Sequence, residues 1–107
     1  MDKRLELHEI LCEIINIIES NGDRHVYFQP PSSVLMKYPA IRYSLTEISN
    51  DHADDIAYKQ KKAYKLTLID LNPDSIYVDK ILKLPYCRFD RYYPADNLNH
   101  YEFIIYY

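Results

Sequence analysis

Two cysteines and four histidines are the side chains of this 107-residue chain best suited to nucleophilic chemistry, in which a thiol needs an imidazole base beside it. Cys12 lies in an amphipathic run and Cys87 in a strand-like one, positions that suit small buried hydrophobes better than activated thiolates. Neither belongs to a CxxC spacing, so a zinc ribbon or a disulfide-stapled secreted fold is disfavoured and a reducing compartment is expected. His8, His25, His52 and His100 are scattered, and no sequence spacing pairs one with a thiol. The densest metal-ligand types are Asp51, His52, Asp54 and Asp55. They lack both the HExxH spacing and the EF-hand pattern and read as a solvated loop. Asp90 and Asp96 could in principle form an acid-base pair, but turn and strand-edge polarity explains them as well. A single glycine leaves no glycine-rich loop for phosphate. The basic run Lys59, Lys61, Lys62 and Lys65 with Tyr64 is the one feature favouring nucleic acid. Against it, the chain carries a net charge of -3 and its strands are mixed in sign. The expectation is no catalytic residue, no cofactor and no metal.

The elements that must position these residues follow from hydrophobic period. Leu7, Ile10, Leu11, Ile14, Ile17 and Ile18 fall on one face of a helix over 4–19, with Glu6, Glu9, Glu13 and Asn16 opposite, and Gly22 is expected to stop it. His25–Phe28 reads as a short strand cut off by Pro30 and Pro31. Ile41, Tyr43 and Leu45 alternate with Arg42, Ser44 and Thr46 in a second strand over 40–48. Residues 47–62 have no period and read as a long mobile loop. A third, central strand spans 63–71. Asn72, Pro73, Asp74 and Ser75 then open a helix that runs to about Leu84. Tyr86–Tyr93 and His100–Tyr107 are two closing strands, joined by a turn over 94–99. The order α-β-β-β-α-β-β predicts a single α+β domain over 1–107: an antiparallel-rich mixed sheet of about five strands with two helices packed on it. Twelve tyrosines with no tryptophan, several on alternate strand positions (Tyr43, Tyr64, Tyr101, Tyr107), suit either core or subunit interface. No segment has the apolar length of a membrane span, and the first residues lack a signal peptide's apolar block, so the chain is expected in the cytoplasm where it is made.

Residues 38–107 carry a resemblance when taken together. YPAIRYS at 38–44 leads to a loop with Ala53-Asp54, then YKLTLIDLNPDS at 64–75, then LPYCRFDRYYPADNLNHYEFIIYY at 84–107. The pattern resembles the tail terminators, or tail-completion and head-tail joining proteins, of long-tailed bacteriophages and prophages. It is densest at 69–75 and 89–100. The resemblance implies a virion structural protein of the tail or neck, without catalysis. Such a subunit assembles as a ring, usually a hexamer, on the head-proximal end of the tail tube. It stops tube polymerisation and offers a surface to the head-tail connector or head-closure protein, with DNA only as passing cargo.

Two regions are expected to carry that work. One is the closing hairpin, where Arg88, Asp90, Arg91, Tyr92, Tyr93, Asp96, Asn97, Leu98 and His100 have the density of interface anchors. There Arg91→Ala or Asp90→Ala should weaken ring closure while the monomer stays folded. The other is the long loop, where Asp51, His52, Asp54, Asp55, Lys59, Lys61 and Lys62 would face the lumen or the tube, the acids keeping DNA from sticking. Another connector or head-closure adaptor remains an alternative, as does a small regulatory or nucleic-acid-binding domain.

Overall fold

Leu7 and Leu11 recur one helical turn apart and are fully buried, which sets the inner face of α1 (Lys3–Ile14). The computed structural model describes residues 3–30, 37–53 and 57–107, with backbone alone at Lys3 and at 49–61. The remaining elements are β1 (Val26–Phe28), β2 (Ala40–Ala53), β3 (Ala57–Asp70), α2 (Ile76–Leu82), β4 (Cys87–Ala95) and β5 (Leu98–Tyr106). They form one five-stranded mixed sheet in the order β1-β2-β3-β5-β4. Only the β1–β2 pair is parallel, and β3 is central, as its alternation implies. The expected α+β architecture is what the chain adopts.

Alternation decides which residues meet the helices. Ile41 and Tyr43 of β2, Leu66 and Leu68 of β3, and Phe103 and Ile105 of β5 are buried to 1% exposure or less with Leu7, Leu11, Ile15 and Ile81. Tyr43, Tyr64 and Tyr101 are buried in this core and Tyr107 packs against it, so these tyrosines are core rather than interface. A second layer of specificity ties α1 to β2. The Tyr43 hydroxyl lies 2.7 Å from His8 Nδ1 and accepts from Arg4 Nη1 at 3.4 Å, while the Arg4 guanidinium sits 4.4 Å over the Phe28 ring.

Three boundaries differ from the sequence reading. First, α1 ends at Ile14 rather than Glu19. Arg24 Nη2 donates to the Cys12 carbonyl at 2.7 Å and satisfies an end-of-helix acceptor, and Ile18 pairs with Arg24 as an isolated antiparallel bridge. Ile15 therefore enters the core while Ile18 is exposed. Gly22, at φ 92°, shapes the turn within that bridge instead of stopping a helix. Second, the N-cap of α2 is Ser75, whose hydroxyl accepts from the Tyr77 amide at 3.3 Å. Asn72 and Pro73 lie in the preceding turn, where the Asn72 side chain accepts from the Asp74 amide. Third, the segment expected as a mobile loop over 47–62 is strand on both sides of residues 54–56. The pairing runs from Glu47↔Ala63 to Ala53↔Ala57.

β3 pairs with β5 only from Ala63 onward, so beyond that point, among the described residues, β2 and β3 pair with each other alone. Antiparallel main-chain hydrogen bonds form a ladder without requiring apolar alternation, so such a ribbon need not show a strand period. A bulge between Leu45 and Glu47 marks where it leaves the body. The molecule measures 50 × 30 × 27 Å.

Candidate subunit interface

The closing hairpin is built by a two-residue turn. Asp96 and Asn97 have φ of 51° and 63°, the left-handed pair that matches the twist of the flanking strands and that Asn and Asp tolerate best. The turn is shorter than the 94–99 stretch expected, because Pro94 and Ala95 pair with Asn99 and Leu98.

β4 is an edge strand, with six of its nine residues exposed and none buried. Its residues divide between two surfaces. On the helix side, Phe89 packs edge-on to Phe103 at 5.7 Å, Tyr92 lies 5.1 Å from Tyr101, and the Tyr92 hydroxyl donates to Asn99 Oδ1 at 2.6 Å. Phe89 is still 45% exposed and Tyr92 47%, and Tyr86, just before the strand with φ 58°, is 81% exposed. On the other side, helix-free among the described residues, Arg91 Nε donates to Glu102 Oε1 at 2.6 Å, the Arg91 guanidinium sits 4.7 Å over Tyr93, and Tyr93 stacks on His100 at 4.8 Å. Asp90 is the extra residue of a bulge and approaches Arg88 at 3.8 Å.

The structure thus brings Arg88, Asp90, Arg91, Tyr93 and His100 onto one face and turns Tyr92 to the other. Asp96, Asn97 and Leu98 sit at the far end, beside the Asp70–Asn99 pair. One expectation changes. Glu102 is a buried carboxylate, 5% exposed at its side chain, and Arg91 is its cation, so Arg91→Ala perturbs the monomer itself. Phe89 falls within the expected 88–93 stretch, whereas sequence reasoning passed over Tyr86 as an ordinary strand residue. Its signal is the position after Pro85, at the start of a strand that has no outer partner among the described residues.

The second expected region lies elsewhere. Asp51 stands opposite Lys59 in the ribbon, His52 opposite Tyr58, Ser49 opposite Lys61, and Ile48 opposite Lys62. Asp54 and Asp55 fall outside the described residues. The ribbon leaves the body at the Tyr106 end of β5, opposite the Asp96-Asn97 turn, so the two regions occupy opposite ends of the sheet.

The two cysteines and His25 have the following surroundings. Burial pushes the Cys87 thiol up to about 11 and raises Cys12 as well, so neither is a thiolate near neutral pH. No hydrogen bond joins a cysteine to a histidine among the described residues. His25 spans the Pro39 carbonyl at 2.8 Å and Glu19 Oε2 at 3.0 Å. Glu19 also receives Lys37, and hydrogen bonds from Lys37 and then His25 hold its carboxyl below the usual range. No group of three metal-ligand side chains converges among the described residues.

One concavity opens on the helix-free face, about 340 Å³, lined by Gln29, Arg42, Ser44, Lys65, Thr67 and Glu102 among others. It was not foreseen, because Arg42 and Lys65 read as ordinary polar positions of alternating strands. No described helix is long and apolar enough to cross a membrane. Scans against protein-family models and against curated proteins return no match to this chain.

Proposed function

We propose that this chain is a virion adaptor of the tail-terminator kind: a subunit of a homo-oligomeric ring, hexameric by the resemblance, seated on the head-proximal end of a tail tube. There it stops tube growth and presents a surface for head-tail joining. The single observation that carries the reading is the open β4 edge, a nine-residue strand with Tyr86, Phe89 and Tyr92 left 45% or more exposed beside it. Such an edge is a liability in a monomer and a ready contact in an assembly. Supporting it are the α+β fold and the sequence resemblance over 69–75 and 89–100.

In this reading β4 is the docking edge for the tube or the connector. The β2–β3 ribbon is the arm that reaches the tube or its lumen, with DNA as passing cargo. The test is electron microscopy of a lysate in which the gene carries an early stop codon. Overlong, headless tail tubes are the expected result. Normal-length tails that fail to join heads would reassign the protein to the connector side, and intact infectious particles would overturn the virion reading.

A further inference from the structure

We infer that the helix-free face of the sheet receives helix α1 of a second copy of this chain, with Glu9 and Glu13 of one copy meeting Arg42 and Lys65 of the next. The inference rests on the ring reading above and names the contact that closes the ring.

Charge accounting on the helix-free face points to the occupant. In-register residues Arg42, Thr67, Glu102 and Arg91 cross four strands in one row. Of the carboxylates on this face, Glu102 is matched by Arg91 and Asp90 by Arg88, while Glu47, opposite Ala63 at the start of the ribbon, is exposed. Arg42 and Lys65 have no hydrogen bond or ion pair among the described residues, and they line the concavity with the hydroxyls of Ser44 and Thr67. Arg42 and Lys65 are half-exposed beside Ser44 and the buried Thr67, and the one carboxylate that lines the concavity with them, Glu102, is taken by Arg91, so the two cations suit a pair of incoming carboxylates.

Helix α1 carries such a pair. Leu7 and Leu11 are fully buried, and Glu9 and Glu13, about half a turn around the helix from them, are exposed. Both are without an ion pair among the described residues, whereas Glu6 lies near Tyr107 and helps raise its pKa, and Arg4 is held at Tyr43 and Phe28. Spacing agrees as well as sign. Side chains four apart on a helix stand about 6 Å apart. Arg42 lies opposite Thr67 and Lys65 opposite Ser44, so the two cations are diagonal neighbours at roughly 7 Å.

The arrangement also fixes the kind of assembly. Helix α1 covers one face of the sheet and the concavity opens on the other, so donor and acceptor surfaces lie on opposite sides of one subunit. A contact between them is heterologous, and it generates a ring when its rotation closes.

The experiment uses the full-length purified chain, with assembly followed by sedimentation and native mass spectrometry at low and high salt. The variants are Arg42→Glu/Lys65→Glu, Glu9→Lys/Glu13→Lys, and the milder Arg42→Gln/Lys65→Gln, each checked for folding by circular dichroism. The wild type is expected to associate at low salt, and each reversal to weaken association about tenfold or more. Mixing the two reversed variants in equal amounts restores it, because each then offers the surface the other needs. The glutamine variant falls between, and it carries the test should a reversal fail to fold. Wild-type association untouched by the substitutions, or no rescue on mixing, overturns this contact and leaves the ring reading standing. A wild type that stays monomeric in isolation and on purified tail tubes removes the ring reading and the contact together. Capture of duplex DNA that depends on Arg42 and Lys65, without self-association, assigns the face to a polyanion and overturns the inference.

Discussion

The β4–β5 hairpin and the β2–β3 ribbon are both antiparallel pairs, yet they are held by different means. In the closing hairpin, residue after residue reaches into the body: Phe89 onto Phe103, Tyr92 onto Tyr101, Arg91 onto Glu102 and Tyr93 onto His100. The ribbon parts from β5 beyond the Ala63–Tyr106 pair and continues as two strands. A hairpin laced to a core has its register set by side chains, whereas the two-stranded extension is paired through its main-chain ladder. The first is therefore suited to presenting fixed groups, and the second to reaching.

That contrast can be broken or sharpened by substitution. The largest effect is expected at Phe103, fully buried beneath Phe89, where Phe103→Ala should cost about 4 kcal/mol by urea denaturation. A cost under about 1 kcal/mol would mean that the hairpin is not anchored where it is drawn. Next is Arg91→Ala, expected to lower the urea midpoint by less than Phe103→Ala does, because it removes the cation beside the buried Glu102 carboxylate. Adding Glu102→Gln should recover part of that loss.

Smaller is the pH dependence at the root of the ribbon, where His8 meets Tyr43. Burial, and then the nearby Arg4 charge, lower the His8 pKa below its usual 6.5, so the unfolded chain takes the proton first. Stability from this group is complete above about pH 6.5 and is lost as pH falls toward the folded value. His8→Gln should flatten that part of the profile, and an unchanged slope would remove His8 as its source. The smallest effect is expected for replacing residues 49–61 with Asn-Gly between the paired Ile48 and Lys62. Stability should stay within about 0.5 kcal/mol of the original, while any function of the arm is lost. A large destabilisation would show that the ribbon is part of the folding unit.

Much of the fold was legible because burial imposes a period. The strands at 40–48 and 63–71 announce themselves by alternation, since each has one face on the helices. The sharp turn at Asp96-Asn97 does so through residue types that accept positive φ. The ribbon was illegible because its sequence over 49–61 shows no alternation, while a main-chain ladder can form without one, and its charges read as loop.

Sequence alone determined the number and order of the elements, the α+β class and the inward face of most of them, because these follow from local period and turn chemistry. It also set the composition that leaves no glycine-rich phosphate loop. Tertiary structure alone decided where α1 ends, since Arg24 returns from twelve residues away to take the Cys12 carbonyl. It also sent three tyrosines to the core, and it paired Glu102 with Arg91 while leaving Arg42 and Lys65 beside an open concavity. These outcomes depend on which strands become neighbours. That choice is made by packing the whole sheet against its helices, and no local pattern encodes it.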